Sequence, residues 1–337
     1  MNKGKPTRSR ECETSHGNVR LAAIDLGTNN CRMLIAAPGE SGLRIVDSIS
    51  RIVRLGEGLS KSGVLCDAAM ARTIDAIKIC ADKISHHGVT HLRCVSTQAC
   101  RAASNGPEFL DRIQRQTGLT FEIISPQEEA RLGAAACGSL QCLESKASLV
   151  FDIGGGSTEL SWLVRDDNNN LTLANWASLP MGVVSLSEKW GGRDLDQETY
   201  DGIVAEAREK ISAIGDPKSL KPLFENDLAH LMGTSGTITS IAGVFLDLTR
   251  YRRDRVDGLW LSADDVRKTA GRLREMSFAE RQAQPCIGTE RADLVVAGSA
   301  IVEALIQVWP ADRVRVADRG LREGILSDLA REAGCSA

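Results

Sequence analysis

Two short segments of the sequence join an aspartate to a glycine turn. They are Asp25-Leu-Gly-Thr-Asn-Asn30 and Asp152-Ile-Gly-Gly-Gly-Ser-Thr-Glu159, and each follows a run of apolar residues. A tight glycine turn exposes successive backbone N–H groups to an anion and lets a phosphate approach the main chain. An aspartate at the end of a strand adds a carboxylate suited to holding Mg²⁺ through water. Together the two turns predict a two-sided clamp on a phosphate chain, although the first motif alone also fits an ordinary hairpin turn.

A third glycine turn, Gly233-Thr-Ser-Gly-Thr237, follows a predicted strand over residues 228–232 and precedes a helix predicted from Thr237. The free N–H groups of a helix N-terminus would face an anion at this point. A plain strand-to-helix turn with a Ser or Thr cap explains the segment equally well, so both interpretations stay open.

Arg101 is a candidate for binding a phosphate. It lies four residues after Thr97 in the segment Ser96-Thr-Gln-Ala-Cys-Arg101, on the same face of a predicted helix. Its guanidinium could therefore reach an anion held at the N-terminus of that helix. A surface salt bridge is the ordinary alternative for a single arginine.

The segment Ser125-Pro-Gln-Glu-Glu129 contains two adjacent carboxylates. Ser125 fits the cap of a helix with Pro126 at its first position, and Glu128 fits the reciprocal half of a capping box. Glu129 points about 100° further round the helix. It has no capping role and is free to act as a general base on water, with Glu159 as the rival carboxylate.

Strands alternate with helices along the chain, which predicts an α/β fold with a mostly parallel sheet. Each Asp turn lies between an outgoing and a returning strand, so the architecture is predicted to occur twice around a shared cleft. The predicted domains are residues 19–126 and 127–337, after a flexible tail over residues 1–18. An open alternative is that the C-terminal helix packs back on the first domain.

Length and composition are typical of a soluble protein with two domains. The 337 residues are 42% hydrophobic and 25% charged, and no apolar run approaches the roughly 20 residues of a membrane span. The N-terminus has no apolar segment of the kind found in secretory signals, and the ten cysteines include no Cys-x-x-Cys pair. These features predict a cytoplasmic protein with reduced thiols, without a membrane as a partner.

The net charge of −3 is divided unevenly along the chain. Residues 1–126 carry 17 Lys and Arg against 12 Asp and Glu, whereas the remainder is acidic. A positive half in an acidic chain suits an anionic ligand, but it does not resemble the basic surface of a nucleic-acid binder.

Seven segments between residues 24 and 326 resemble the exopolyphosphatase/guanosine pentaphosphate phosphohydrolase (Ppx/GppA) family. They are IDLGTNNCRMLIA, STQACRAASN, EIISPQEEARLGA, VFDIGGGSTEL, MGVVSLSEKW, GTSGT and LREGIL. The resemblance implies a duplicated actin-like (ribonuclease H-like) fold with two domains around a central cleft, in the short two-domain form of the family. It also implies a magnesium-dependent hydrolase in which water attacks the terminal phosphorus of a phosphoanhydride.

Carried over by position, the resemblance assigns a role to each candidate residue. Glu129 would be the general base, Arg101 would hold the phosphate being cleaved, and Glu159 would help to organise metal and water. Mg²⁺, with Mn²⁺ as an alternative, would be bound near Asp25 and Asp152. The residues expected to cradle phosphates are Gly27, Thr28, Asn29, Gly154, Gly155, Gly156, Ser157, Gly233, Ser235 and Gly236.

The sequence does not choose between two substrates, because polyphosphate and guanosine pentaphosphate (pppGpp) both offer a terminal anhydride. Release of orthophosphate from polyphosphate is the expectation, and hydrolysis of pppGpp or non-catalytic binding by a regulator are the alternatives. An ATP-dependent kinase of the same superfold is disfavoured by Arg101 and by the Glu-Glu-Ala-Arg segment. A homodimer is left open.

Overall fold

The computed structural model describes residues 19–39, 42–289 and 291–335. Residues 1–18, predicted as a flexible tail, lie outside the described residues.

Two β-sheets organise the chain, one in each half. Their strands are β1 (Leu21–Leu26), β2 (Asn30–Gly39), β3 (Gly42–Ile52), β4 (His91–Ser96), β5 (Glu122–Ile123), β6 (Ala147–Ile153), β7 (Thr158–Arg165), β8 (Leu171–Leu179), β9 (Ala229–Thr234), β10 (Trp260–Ser262) and β11 (Arg313–Ala317). The helices are α1 (Leu59–Ser62), α2 (Asp67–His86), α3 (Gln98–Ala102), α4 (Gly106–Thr117), α5 (Pro126–Ala136), α6 (Val183–Trp190), α7 (Gln197–Ser212), α8 (Lys221–Glu225), α9 (Ser235–Phe245), α10 (Arg253–Val256), α11 (Ala263–Glu275), α12 (Phe278–Ala283), α13 (Val295–Val308) and α14 (Leu321–Glu332).

The two sheets repeat one arrangement. In the first sheet, ordered β3-β2-β1-β4-β5, strand β1 pairs antiparallel with β2 and parallel with β4. In the second, ordered β10-β11-β9-β6-β7-β8, strand β6 pairs antiparallel with β7 and parallel with β9. Both sheets are mixed rather than mostly parallel as predicted. The reason is that short hairpin connections join the first three strands of each half, and such connections allow only antiparallel pairing.

Each sheet has its own hydrophobic core. Around the first sheet, α2 and α4 bury aliphatic and thiol side chains such as Ile24, Ile77 and Cys80. Around the second, α7, α9, α11 and α13 bury a larger core, in which Trp162 and Trp309 meet edge to face with ring centroids 5.4 Å apart. The two cores are separate clusters of buried residues, one for each half of the chain.

Helix α14 packs on the first half of the molecule, although it comes last in the chain. Leu321, Ile325 and Leu329 recur every four residues and are buried with Leu21 and Leu34 of the first sheet. Helix α5 contacts α14 on one side and strands β7 and β8 of the second sheet on another. These two helices therefore join the two halves.

One boundary that bears on the site differs from the prediction. Helix α9 begins at Ser235 instead of Thr237, and β9 extends as far as Thr234. The parallel pairing of β9 with β6 continues until Thr234 lies opposite Asp152. The register of these strands therefore sets the position of the turn, and Gly233 belongs to the strand.

Candidate active site

The two Asp–glycine turns have the same local geometry. In the first turn, the N–H of Gly27 donates to the carbonyl of Asn30 at 2.9 Å, and in the second the N–H of Gly154 donates to the carbonyl of Ser157 at 2.9 Å. Each turn is thus a short loop that connects the two antiparallel strands of its hairpin. Such loops present backbone N–H groups at their tips, where an anion can accept from them.

The glycines of the second turn let the two turns approach each other. A Cβ on Gly155 would lie 3.0 Å from Thr28 Cβ, and one on Gly156 would lie 3.0 Å from Thr28 Oγ1. Behind the turn, a Cβ on Gly182 would lie 2.5 Å from the carbonyl carbon of Gly155. Close packing of protein on protein therefore accounts for these glycines, and their contact with phosphate stays a prediction.

A cleft of about 610 Å³ opens where the two turns meet. Five carboxylic acids line it, namely Asp25, Asp152, Glu129, Glu159 and Asp318. The predicted phosphate-binding residues that also line it are Gly27, Thr28, Asn29, Gly154, Gly155, Ser157, Ser235 and Gly236. Residues from four distant parts of the sequence thus meet at one place, as the clamp interpretation requires.

Two of the glycines predicted to bind phosphate lie elsewhere. Gly233 is buried in β9, where a Cβ would come within 2.5 Å of the Phe151 ring. This position requires glycine because of the aromatic ring, and the predicted phosphate contact at Gly233 is therefore corrected to a packing contact. Gly156 lies against Thr28 and Gln98 and is not among the described residues that line the cleft.

The proposed base and the predicted phosphate-binding arginine form an ion pair. Both terminal nitrogens of Arg101 lie 3.3 Å from Glu129 Oε2. The guanidinium is fixed further by donating to the carbonyl of Ile124 at 2.7 Å and to Gln98 Oε1 at 2.9 Å. Arg101 does not itself line the cleft, and its connection to the cleft is the ion pair with Glu129, which does line it. The two residues thus act as one unit at the wall of the cleft.

Asp25 and Asp152 occupy equivalent positions in the two hairpins. Asp25 is paired across its hairpin with Arg32, and Asp152 is paired across its own with Glu159. Burial raises the pKa of Asp25 to about 6 and raises the pKa of Asp152, while the charge of Arg32 opposes both rises. A nearby divalent cation favours the charged form of buried carboxylates. In proteins, Mg²⁺ commonly takes one or two carboxylates and completes its shell with water and substrate phosphates.

The two glutamates of the cleft are buried as well. Burial, with the charge of Asp152 adding to it, raises the pKa of Glu159 to about 7, and the Ser178 hydroxyl donates to Glu159 Oε1 at 2.9 Å. Burial and the charge of Glu159 raise the pKa of Glu129, and Arg101 opposes this rise. Each glutamate therefore has a higher proton affinity than an exposed carboxylate, which is a property of a general base near neutral pH.

Glu128 faces away from the cleft. The hydroxyl of Ser125 accepts from the N–H of Glu128 at 3.2 Å, so the predicted cap is present. The reciprocal bond of a capping box is absent from the described contacts, because the Glu128 carboxylate binds Arg131 at 2.8 and 2.9 Å and Arg93 at 3.1 Å. Two cations attract the carboxylate more strongly than one backbone N–H does. Glu128 thus has a structural role, although a different one from that predicted.

Five arginines and one tyrosine of the cleft were missed by sequence reasoning. They are Arg32, Arg253, Arg291, Arg319, Arg322 and Tyr251. Strand alternation after the first turn could have identified Arg32, because it lies directly opposite Asp25. Arg319 and Arg322 come from the far end of the chain and reach the cleft only because α14 packs on the first sheet. The arginines make the cleft suitable for a polyanion.

The fold and the cleft together define a protein of two α/β halves with a cleft between them that is lined by carboxylic acids and arginines. The chain matches the model of the Ppx/GppA phosphatase family over residues 34–333. It is 29% identical over 323 residues to a Haemophilus influenzae protein named as a candidate exopolyphosphatase, across 93% of this chain and 92% of that protein. It is 27% identical over 315 residues to the guanosine-5'-triphosphate,3'-diphosphate pyrophosphatase of Aeromonas salmonicida, across 93% of this chain. The chain spans 60% of the length of that second relative.

Among solved structures, the Aquifex aeolicus member of the Ppx/GppA family superposes with a TM-score of 0.76 at 27% identity, over 93% of this chain and 98% of that chain. The protein belongs to the Ppx/GppA phosphatase family. The predicted family, the duplicated actin-like fold and the class of hydrolases acting on phosphoanhydrides are thereby confirmed. None of the helices described here is long and apolar enough to cross a membrane.

Proposed function

We propose that this protein hydrolyses the terminal phosphoanhydride bond of inorganic polyphosphate and releases orthophosphate. The observation that carries the proposal is the Glu129–Arg101 pair at the wall of a cleft that also contains Asp25 and Asp152. In this arrangement a candidate base and two candidate metal ligands line one space, and a cation is bound to the base. The relative from Haemophilus influenzae, whose name denotes an exopolyphosphatase, supports the same activity.

In the proposed reaction, Glu129 accepts a proton from water while the water oxygen attacks the terminal phosphorus. The bond between this phosphorus and the bridging oxygen breaks, so that orthophosphate leaves together with a chain shorter by one phosphate. Arg101 donates to the oxygens of the phosphate being cleaved, where negative charge has to be stabilised. The backbone N–H groups of both turns and the N-terminus of α9 hold the neighbouring phosphates.

Asp25 and Asp152 would hold Mg²⁺, which would neutralise charge on the phosphate oxygens when bound. Within the described residues no group of three or more His, Cys, Asp or Glu side chains is arranged to hold a metal by itself. This donor set fits Mg²⁺ better than zinc, because Mg²⁺ accepts few protein ligands and completes its shell with water and phosphate.

A second candidate substrate is pppGpp, which shares the terminal anhydride. Tyr251 and Ile287 line the cleft beside its arginines and offer an aromatic and an apolar surface to a nucleoside. The Aeromonas salmonicida relative, by its name, acts on this guanosine compound. Side-by-side assays of orthophosphate release from long polyphosphate, short polyphosphate and pppGpp would separate the two. Absence of release from all three would contradict the proposal, and transfer to an acceptor without release would indicate a kinase.

We also propose that the protein is cytoplasmic. All nine cysteines in the described part of the chain are free thiols, and seven of them are buried. Free thiols are typical of proteins kept in a reducing compartment. Fractionation of cells that express the tagged full-length protein would test this location.

A further inference from the structure

Helix α5, which carries Glu129, is held from outside the cleft by a set of four charged residues. Arg131 Nη2 on α5 lies 2.5 Å from Asp328 Oδ2 on α14. Arg131 also contacts both carboxylate oxygens of Glu128, and Glu128 accepts a further bond from Arg93 on β4 at 3.1 Å. This charged network of Arg93, Glu128, Arg131 and Asp328 therefore connects α5 to the first sheet and to the last helix.

The backbones of α5 and α14 also touch, one residue further along. A Cβ on Gly324 of α14 would lie 2.1 Å from the carbonyl oxygen of Leu132 on α5. Only glycine allows this approach, and Leu132 is buried there together with Ile325. The helix that carries the proposed base is thus held at two adjacent residues, by a backbone contact at Leu132 and by an ion pair at Arg131.

The geometry of a helix couples this outer contact to the cleft. Glu129 precedes Arg131 by two residues, so the two side chains point about 200° apart around the axis of α5. A rotation of α5 that loosens Arg131 must therefore move Glu129 by the same angle. The end of a side chain lies about 5 to 6 Å from the helix axis, so a rotation of about 10° displaces it by about 1 Å. Misplacing a reacting group by about 1 Å can lower a rate about a hundredfold.

We propose that Asp328, acting through Arg131, is a positioning residue that sets the rotation of α5 and hence the place of Glu129 in the cleft. The proposal rests on the proposed function, in which Glu129 is the base. Ion pairs that are partly exposed add little to stability. The side chain of Arg131 is 41% exposed and that of Asp328 is 13% exposed, so the pair is better suited to orienting a helix than to holding the fold together.

The test compares Asp328→Asn with Glu206→Gln as a matched control. Glu206 is 16% exposed and forms ion pairs at 2.7 and 2.8 Å with Lys189 and Lys210, so it also joins two helices through one carboxylate. It does not line the cleft. Both variants should show a similar small decrease in Tm. Asp328→Asn should lower kcat about tenfold with KM unchanged, whereas Glu206→Gln should keep kcat within twofold.

The expected loss for Asp328→Asn is smaller than a hundredfold because the Gly324 contact remains and asparagine still accepts one bond from Arg131. The variant Asp328→Glu retains the charge and should recover most of kcat. Equal kcat in wild type and Asp328→Asn, or an equal loss in the control, would overturn the proposal. A crystal structure of Asp328→Asn supplies a readout without turnover.

In that crystal structure, we expect α5 to be rotated and Glu129 Oε2 to be displaced from Arg101. An unmoved α5 would overturn the positioning role even if no phosphoanhydride proved to be a substrate. Inactivity of the wild-type protein toward every phosphoanhydride, with α5 rotated in the variant, would instead contradict the proposed function alone. The two ideas can therefore fail separately.

Discussion

Replacing Glu129 with glutamine removes the proposed base with the least change in shape. In the structure, Glu129 Oε2 accepts from both terminal nitrogens of Arg101 at 3.3 Å. The amide oxygen of glutamine can accept the same bonds, but it cannot take a proton from water. Turnover is therefore expected to fall by about 10² to 10⁴, the usual contribution of a positioned base.

This loss corresponds to about 3 to 5 kcal/mol of transition-state stabilisation. The stability of the fold and the binding of polyphosphate should not decrease along with turnover. Glu129 is a buried acid, and the charges of Glu159, Asp25 and Asp152 each raise its pKa. Removing one negative charge from this group relieves repulsion but also weakens the ion pair with Arg101, so the free energy of unfolding should change little, while the affinity for polyphosphate should stay the same or increase. Lost turnover in a protein that is equally stable and binds equally well can then be assigned to chemistry.

The assay measures orthophosphate release at saturating polyphosphate, together with the dissociation constant of polyphosphate by calorimetry. Glu128→Gln is the control, because it makes the same chemical change at the adjacent residue, whose side chain binds Arg93 and Arg131 instead of facing the cleft. Because Glu128 belongs to the charged network, Glu128→Gln should lower turnover by no more than about tenfold. A larger loss for Glu128→Gln than for Glu129→Gln would refute the assignment of the base.

Three further outcomes are expected. EDTA should abolish phosphate release and Mg²⁺ should restore it, because Asp25 and Asp152 offer hard oxygen ligands, and full turnover in metal-free buffer would contradict this. Burial, with the charges of Arg313, Arg315 and Arg165 adding to it, lowers the pKa of His230 from 6.5 to about 4. Below pH 6.5 the unfolded chain thus binds a proton that the folded protein rejects, and the free energy of unfolding should fall by about 3 kcal/mol between pH 6.5 and 4. Urea unfolding of His230→Asn should lack this part of the decrease, and identical pH profiles would exclude His230 as its source. Gly155→Ala should raise KM for polyphosphate, because its Cβ would push against Thr28 and separate the two turns; an unchanged KM would show that the contact does not shape the binding site.

The parts of the site that could be predicted have local signals. The aspartate, the glycines and the following strand of each hairpin lie within one short segment, so the turn can be recognised without knowledge of the rest of the fold. The same holds for the helix that begins after Ser125, where the cap and Pro126 mark the start. Glu129 could be singled out because its direction follows from helix geometry alone.

The parts that were missed depend on contacts between distant segments. Gly233 looks like a residue of a phosphate-binding turn until the ring of Phe151, from another strand, is found against it. Glu128 fits a capping box until Arg93, from the distant strand β4, joins Arg131 in binding its carboxylate. Arg319 and Arg322 enter the cleft through the packing of α14. These contacts between distant segments leave no trace in the neighbouring sequence, because strand register and helix packing determine them.

The duplicated hairpins place residues of opposite charge beside two equivalent aspartates. Their backbones are alike, and each provides an aspartate at the end of its first strand. The residue opposite that aspartate differs, being Arg32 in the first hairpin and Glu159 in the second. The charge of Arg32 opposes the rise in pKa at both aspartates, whereas Glu159 is an acid that adds to the repulsion within the cleft. Two identical hairpins would present the same charge from both sides of the cleft. The exchange of one cross-strand residue makes the two sides of the cleft unequal, which suits the proposed reaction, because Arg32 adds a positive charge at the first hairpin and Glu159 adds a carboxylate at the second.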